Sequence, residues 1–292
     1  MTLWKTLSAR VPWWGKLSAK ILLARIPFSY RTWQKLGLFR HGAMTNPSYA
    51  WNVYSSHLMR FQTLTGREFP EFALELGPGD SPFSGAFGAA LGTRKTFLVD
   101  GGAFLRWDPE TRASLKAYLK QQQLHLDFPD NGDLECLRTT YLTEGLDSLR
   151  SLPDASVDFI WSQAVLEHLP RKQFSAFQTE MRRLLRHDGC VSHRVDLKDH
   201  LGGALNNLRF SESTWESYLF QHSGFYTNRL RRSEMLEAFR AAGLDLTILE
   251  EDHWMELPTP RERFDDAFRA LSDEDLNVSG FNIGLLPDKR HT

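Results

Sequence analysis

The sequence is short of cysteine, has no long apolar run, and carries no acid at all over its first 67 residues. Its 292 residues include 2 cysteines, Cys136 and Cys190, far apart and in no ligand-spacing motif. That argues against a disulfide framework and against a zinc module, and points to a reducing compartment. No stretch of about 18 apolar residues occurs, so no spanning helix is expected. The start is not a secretory leader either, because its apolar stretch Ile21-Leu22-Leu23-Ala24 is short and bracketed by Lys20 and Arg25. These absences make a cytoplasmic protein the expectation. Internal repeats and low-complexity segments are also missing.

What is present is a chain with 41% hydrophobic residues, enough to bury the core of one large domain. The net charge of −1 conceals an asymmetry. All ten charged residues of positions 1–67 are basic, whereas positions 68–292 hold 25 basic and 36 acidic residues. Five of the 9 tryptophans, Trp4, Trp13, Trp14, Trp33 and Trp51, fall in the same early stretch. Apolar residues at Trp4, Leu7, Val11, Trp14, Leu17 and Ile21 follow helical spacing, with Pro12 starting a helix and Lys16 and Lys20 on another face. Residues 1–66 therefore read as a basic, tryptophan-rich helical extension or lid. Two roles suit residues 1–40: lying on an anionic membrane surface, or packing on the main domain. Nucleic acid is not expected as a partner, since the rest of the chain is acidic and repels phosphate.

The most informative stretch is Phe72-Ala73-Leu74-Glu75-Leu76-Gly77-Pro78-Gly79-Asp80-Ser81. It reads as a buried strand, a tight turn bounded by glycines, and the opening of a helix whose free N–H groups face the turn. A second apolar strand, Thr96-Phe97-Leu98-Val99, ends in Asp100 and Gly101. A glycine turn after one strand and an acid at the end of the next is the layout of a nucleoside crevice, with the acid on ribose hydroxyls. The dinucleotide fingerprint needs a third glycine, but Pro82 stands there, which argues against a nicotinamide oxidoreductase. Glu75, two residues before the first glycine, would repel a pyrophosphate and suits a cationic ligand such as S-adenosylmethionine.

Here the chain resembles the class I S-adenosylmethionine-dependent methyltransferases of the type-11 kind. The resemblance is carried by Glu75-Leu76-Gly77-Pro78-Gly79, Leu98-Val99-Asp100, Leu152 to Ile160, Val165-Leu166-Glu167-His168-Leu169 and Leu184-Leu185-Arg186-His187-Asp188-Gly189, in the family's order. The segment Ser192 to Leu201 also looks like a bacterial subgroup associated with surface polysaccharides. The resemblance implies an α/β fold: a Rossmann-like, doubly wound seven-stranded sheet over residues 67–292, its seventh strand antiparallel beside the fifth.

Local signals fill in that sheet. Asp108-Pro109-Glu110 starts a helix running to about Gln123. Strands follow at Leu137–Leu142, Val157–Ser162, Cys190–Leu197, Leu244–Leu249 and Phe281–Leu286. Phe174, Phe177, Met181, Leu184 and Leu185 face one side of a helix stopping near Gly189, and Ser233 caps another that ends at Gly243.

Ligands of such sheets lie beyond the carboxyl ends of the strands. Cofactor-binding candidates are thus Glu75, Gly77, Gly79, Asp80, Ser81, Asp100, Gly101, Tyr141, Ser162 and Gln163. Transfer of a methyl group from a sulfonium needs alignment and, for a hydroxyl nucleophile, a base. His168 and His200 suit that role, with Asp199 as an orienting carboxylate. Asp196, Asp199 and His200 meet no known metal spacing, and no metal is expected. His222, Tyr226, Asn228 and Arg229 mix rings with polar donors, as a sugar-binding segment does; Phe39–Gly42 and Asn46–Tyr49 could form part of a lid. The reading is an O-methyltransferase for a saccharide in bacterial surface-glycan assembly, peripheral on the inner face of the cytoplasmic membrane. The alternatives are a methyltransferase for a small lipophilic acceptor, such as a quinone or lipid, and a non-catalytic nucleoside-binding module.

Overall fold

The computed structural model describes residues 12–24 and 43–288. Trp4, Leu7 and Val11 of the apolar stripe and Phe39–Gly42 of the expected lid lie outside them. Chain order begins with α1 (Trp13–Ala24), α2 (Pro47–Thr65), β1 (Phe72–Leu76), α3 (Phe83–Leu91), β2 (Lys95–Val99), α4 (Pro109–Gln121) and β3 (Thr139–Leu142). It continues with β4 (Val157–Gln163), α5 (Phe174–Leu184), β5 (Leu185–Asp196), α6 (Arg232–Ala241), β6 (Leu244–His253) and β7 (Val278–Pro287). Short helical turns fill the connections.

The strands form one seven-stranded sheet in the order β3-β2-β1-β4-β5-β7-β6. Strands β1 to β5 pair in parallel, and β7 enters antiparallel between β5 and β6. This is the Rossmann-like sheet with an antiparallel last strand. Strand order reverses between β1 and β4, so the ligand crevice of a doubly wound sheet falls outside the carboxyl ends of those two strands.

Alternation along the strands builds two cores. Leu74, Leu76 and Ile160 face Phe174, Phe177, Met181, Met235 and Phe239 of α5 and α6. Ala73, Phe159 and Trp161 face Tyr54, Phe61, Phe83, Phe87 and Leu115 of α2, α3 and α4. Helix α2 is thus a layer of the same core, although the sequence places it in the 1–66 extension. Asn46–Tyr49, expected as part of a lid, forms its start: Asn46 Oδ1 accepts from Ser48 N and Tyr49 N, with Pro47 in the first turn, and Gly66 closes the helix at φ 69°. Asp158, fully buried, fastens the entry to β1. It accepts from Glu71 N, Phe72 N and the Arg67 guanidinium at 3.0, 2.8 and 2.8 Å.

Several expected boundaries move. Asp108 caps α4 as anticipated, but the helix ends at Gln121. Asp133 caps a tight turn over Leu134–Leu137, which delays β3 to Thr139. Gly189 does not stop a helix: α5 ends at Leu184, and β5 runs through Gly189, where a Cβ would lie 2.7 Å from the Asp158 carbonyl. The glycine is there for close strand approach. Ser233 lies inside α6, which Arg231 precedes as N-cap; its hydroxyl donates to Asp275. Strands β6 and β7 are longer than expected, 10 residues each, because they pair with one another.

In α1 Leu17 and Ile21 keep their expected place on the packed stripe, and Trp13 takes the place of Trp14. Trp13, Leu17 and Ile21 pack against the cluster of Leu201, Trp215, Phe220, Phe225 and Tyr226, while Trp14 is 60% exposed. Trp13 stands edge-on to Phe210 at 6.1 Å, and the Arg209 guanidinium lies 5.1 Å from the Trp13 ring centre.

Candidate active site

The glycine turn requires its glycines. Gly77 and Gly79 have φ of +67° and +64°, and a Cβ on Gly77 would meet Val165 Cγ2 at 2.5 Å. Gly77 N–H donates to Val99 O at 2.8 Å, which ties the turn to the end of β2. Ser81 Oγ accepts from Phe83 N at 3.2 Å in the first turn of α3, and Asp80 O accepts from Arg106 N at 2.9 Å. Both residues are buried. Asp100 joins two loops: Oδ2 accepts from Gly79 N at 3.3 Å and Oδ1 from Gly101 N at 2.9 Å. Its carboxylate is half-buried, and a Cβ on Gly101 would meet nothing within 4 Å, so the chain leaves room beside it. The Tyr141 hydroxyl donates to Gly102 O at 2.7 Å and accepts from Phe104 N at 3.0 Å, holding the loop after β2.

Two candidates lie deeper than the sequence suggested. Glu75 is 1% exposed, behind the turn, and accepts a hydrogen bond from Ser84 Oγ of α3. Burial pushes its carboxyl up to about 8, against the Ser84 hydrogen bond and with a lesser push from the Asp100 charge. Burial thus works against the charge on which its suitability for a cationic ligand rests. Ser162 is also fully buried, its Oγ 2.8 Å from His193 Nδ1. Gln163 stays half-buried at the end of β4, with Oε1 3.0 Å from His57 Nε2.

The two histidines meet. His168 Nε2 lies 3.1 Å from His200 Nε2, and the rings stack with centroids 4.9 Å apart. His168 Nδ1 is 3.0 Å from the Tyr226 carbonyl oxygen. A carbonyl only accepts, so His168 carries its proton on Nδ1 and offers a lone pair at Nε2. His200 must then donate from Nε2 to His168 Nε2.

Asp199 does not orient His200. Its Oδ1 accepts from the backbone N–H of Leu201, Gly202, Gly203 and Ala204, and its Oδ2 from Asn206 N at 2.5 Å. It organises the loop after β5. The expected sugar-binding segment is likewise turned inward. Asn228 is fully buried, donating to Leu166 O and Leu169 O at 2.8 and 3.0 Å. Tyr226 donates to Glu216 at 2.9 Å within the Trp215 cluster. Arg229 donates to Phe210 O at 2.6 Å, between the rings of Trp215 and Phe268. Only His222 of the four is exposed, packed on Tyr218 at 4.1 Å. Asn228 and the Tyr226 carbonyl thereby brace the His168 loop.

Sequence reasoning missed three groups: the buried His57, Ser192 and His193. A lone histidine on an apolar helix face gives no local signal; only the fold brings His57 beside β4 and β5. Glu167 is buried next to Asp196 N, and burial raises its carboxyl to about 8.

These groups fix a pH dependence of stability. Glu75 and Glu167 keep a proton in the fold up to about 8 that the unfolded chain releases near 4.5, so their contribution falls as pH rises between those values. His57 and His193, lowered to about 3 by burial, refuse a proton that the unfolded chain takes near 6.5, so their contribution falls as pH drops from 6.5 to 3. The thermal midpoint of the ligand-free protein should therefore peak between about pH 4.5 and 6.5 and decline toward pH 8. Glu75→Gln should flatten that decline in a calorimetric series; an unchanged slope would refute the assignment.

Residues 105–192 match the family described as a methyltransferase domain. A search of curated proteins gives no match. Among solved structures, the chain is similar to the 1,6-didemethyltoxoflavin N1-methyltransferase of Burkholderia thailandensis, bound to 1,6-didemethyltoxoflavin and S-adenosylhomocysteine. Identity is 14%, coverage 93% of this chain and 89% of that one, and the TM-score 0.46. It is similar also to an S-adenosylmethionine-dependent methyltransferase of Methanosarcina mazei, at 15% identity, 76% and 94% coverage and a TM-score of 0.45. A third is a phosphoethanolamine N-methyltransferase of Haemonchus contortus, in complex with phosphomonomethylethanolamine and S-adenosylhomocysteine. There the identity is 16%, coverage 86% and 55%, and the TM-score 0.44.

Proposed function

We propose that this S-adenosylmethionine-dependent methyltransferase methylates a hydroxyl group of a saccharide, in bacterial surface-glycan assembly at the cytoplasmic face of the membrane. When bound, S-adenosylmethionine supplies a methyl group on a sulfonium with a neutral leaving group. The residues of the chain fit it: Gly77 and Gly79 let backbone approach closely, and Asp100 sets a carboxylate at the end of β2, beside the turn, where ribose hydroxyls would lie. The observation that carries the hydroxyl reading is the His168–His200 contact at the carboxyl ends of β4 and β5. His200 takes the hydroxyl proton, and His168 Nε2 accepts from the resulting imidazolium. A base at this place serves a hydroxyl, which must lose its proton as it attacks.

The saccharide rests on the resemblance of Ser192–Leu201. With Tyr226, Asn228 and Arg229 turned inward, the acceptor is met by other side chains. Transfer of labelled methyl from S-adenosylmethionine should be tested on lipid-linked and nucleotide-linked saccharides beside quinones and phospholipids. Label on a saccharide oxygen is expected; label only on a quinone or phospholipid overturns the saccharide. Saturable cofactor binding with no transfer to any acceptor class would favour the non-catalytic module.

Membrane attachment is the second part of the reading. Among described residues no helix is long and apolar enough to cross a membrane. Trp14 and Leu22, 60% and 65% exposed on α1, are the side chains that would enter the headgroup region. The protein should sediment with vesicles containing anionic lipid, less so at higher salt and less with neutral lipid. A Trp14→Ala/Leu22→Ala variant should sediment less. Equal recovery with neutral and anionic vesicles at both salts would refute the electrostatic part.

A further inference from the structure

His57 lies on α2, ahead of the matched 105–192 segment, and is fully buried against the Trp161 ring at 4.7 Å. Its two ring nitrogens are both engaged. Nδ1 is 2.7 Å from Ser192 Oγ of β5, and Nε2 is 3.0 Å from Gln163 Oε1 of β4. An amide oxygen only accepts, so Nε2 carries the proton, and Nδ1 must take the Ser192 hydroxyl proton as a hydrogen bond. Burial holds the imidazole neutral, at about 3, so this single-proton arrangement persists at working pH. With the Gln163 amide oxygen toward α2, the relay runs Ser192 O–H to His57 to Gln163.

The opposite end of that amide is an N–H₂ donor. Ser162 is in register with Leu76, so Gln163 stands level with Gly77, the first residue of the glycine turn. Gly77 in turn has Val165, two residues past Gln163, in direct contact with where its Cβ would be. We propose that His57 is a positioning residue that presents the Gln163 amide N–H₂ to an oxygen of the S-adenosyl ligand at the glycine turn. The oxygen class is a carboxylate or hydroxyl, since an amide N–H₂ serves only acceptors. A helix from outside the matched segment thereby selects the hydrogen-bonding sense of a side chain inside it. This inference rests on the methyltransferase reading for the identity of the ligand.

The test uses the intact chain and S-adenosylhomocysteine as probe. In titration calorimetry, Gln163→Leu should weaken binding on the order of tenfold, the loss of one hydrogen bond to a charged or hydroxyl oxygen. Gln163→Glu should weaken it further, because a carboxylate cannot donate and its charge also repels the lone pairs of an acceptor oxygen. His57→Phe should approach the Gln163→Leu loss, and the double variant should be no weaker than Gln163→Leu alone. A role confined to packing predicts additive losses instead. Should His57→Phe not fold, Ser192→Ala completes the same cycle with Gln163→Leu. Independently of any ligand, long-range ¹H–¹⁵N correlations on histidine-labelled protein should show His57 with its proton on Nε2. A proton on Nδ1, additive losses, or wild-type affinity in Gln163→Leu overturns the proposal. Failure of the wild-type chain to bind S-adenosylhomocysteine would instead overturn the methyltransferase reading, and the His57 tautomer would still decide the positioning.

Discussion

Replacing His200 by Ala should lower turnover by about 10²–10⁴-fold when chemistry limits the rate, and should barely change affinity for S-adenosylhomocysteine. The expectation follows from proton bookkeeping. The Tyr226 carbonyl fixes the His168 proton on Nδ1, and the 3.1 Å contact then fixes the His200 proton on Nε2. In the proposed mechanism His200 takes the proton of the incoming hydroxyl and His168 Nε2 is the acceptor for the resulting imidazolium. His168→Ala should therefore also lower turnover, while His168→Gln, whose amide oxygen can replace Nε2 as acceptor, should recover part of the loss. Near-normal turnover in both alanine variants would mean that catalysis is alignment without a base.

Asp100→Ala should weaken S-adenosylmethionine and S-adenosylhomocysteine alike, by about 1.5–3 kcal/mol, on the order of 10- to 100-fold. Two effects combine. The ribose hydroxyls lose a charged acceptor, and the amides of Gly79 and Gly101 lose the carboxylate that holds them. Asp100→Asn separates the two, since it keeps an acceptor for one amide and removes the charge. Titration calorimetry on the three proteins measures both. Equal affinity in wild type and Asp100→Ala would remove Asp100 from the cofactor site and with it the placement of the ribose.

The sheet could be read in the chain because its signals are local. Glycines at a strand end, an acid at the next strand end and a capped helix at Asp108 each carry their own physics, and each stands where expected. Gly189 misled because a glycine after an apolar helix has two causes, a helix stop and a close strand contact, and only the neighbouring Asp158 backbone decides between them. Tyr226, Asn228 and Arg229 misled for a related reason. Rings beside polar donors suit a sugar, but they equally suit a buried brace, and the partners Leu166, Leu169, Phe210 and Glu216 lie 10 to 62 positions away. His57 was illegible because its role needs three strands and helices that meet only in the fold. Asp199 shows the same limit at short range: next to His200 in sequence, its oxygens point to the backbone of residues 201–206.

Among the described residues strand β6 has no sheet neighbour except β7, which follows it by some 25 residues and inserts between it and β5. During synthesis from the N-terminus, β5 and β6 must both leave the ribosome before the strand that joins them exists. Until then β5 presents an unpaired edge next to the half-built crevice, and β6 has no partner at all. The histidine loop after β5 is anchored on that same unfinished edge, since Leu197 N–H donates to Ser279 O of β7 at 3.0 Å. A ribosome stalled before Val278 should therefore hold a nascent chain that carries every motif of the cofactor turn yet is open to proteases at β5 and β6. Its release would expose two sticky edges to neighbouring chains, so premature termination here favours aggregation over partial function.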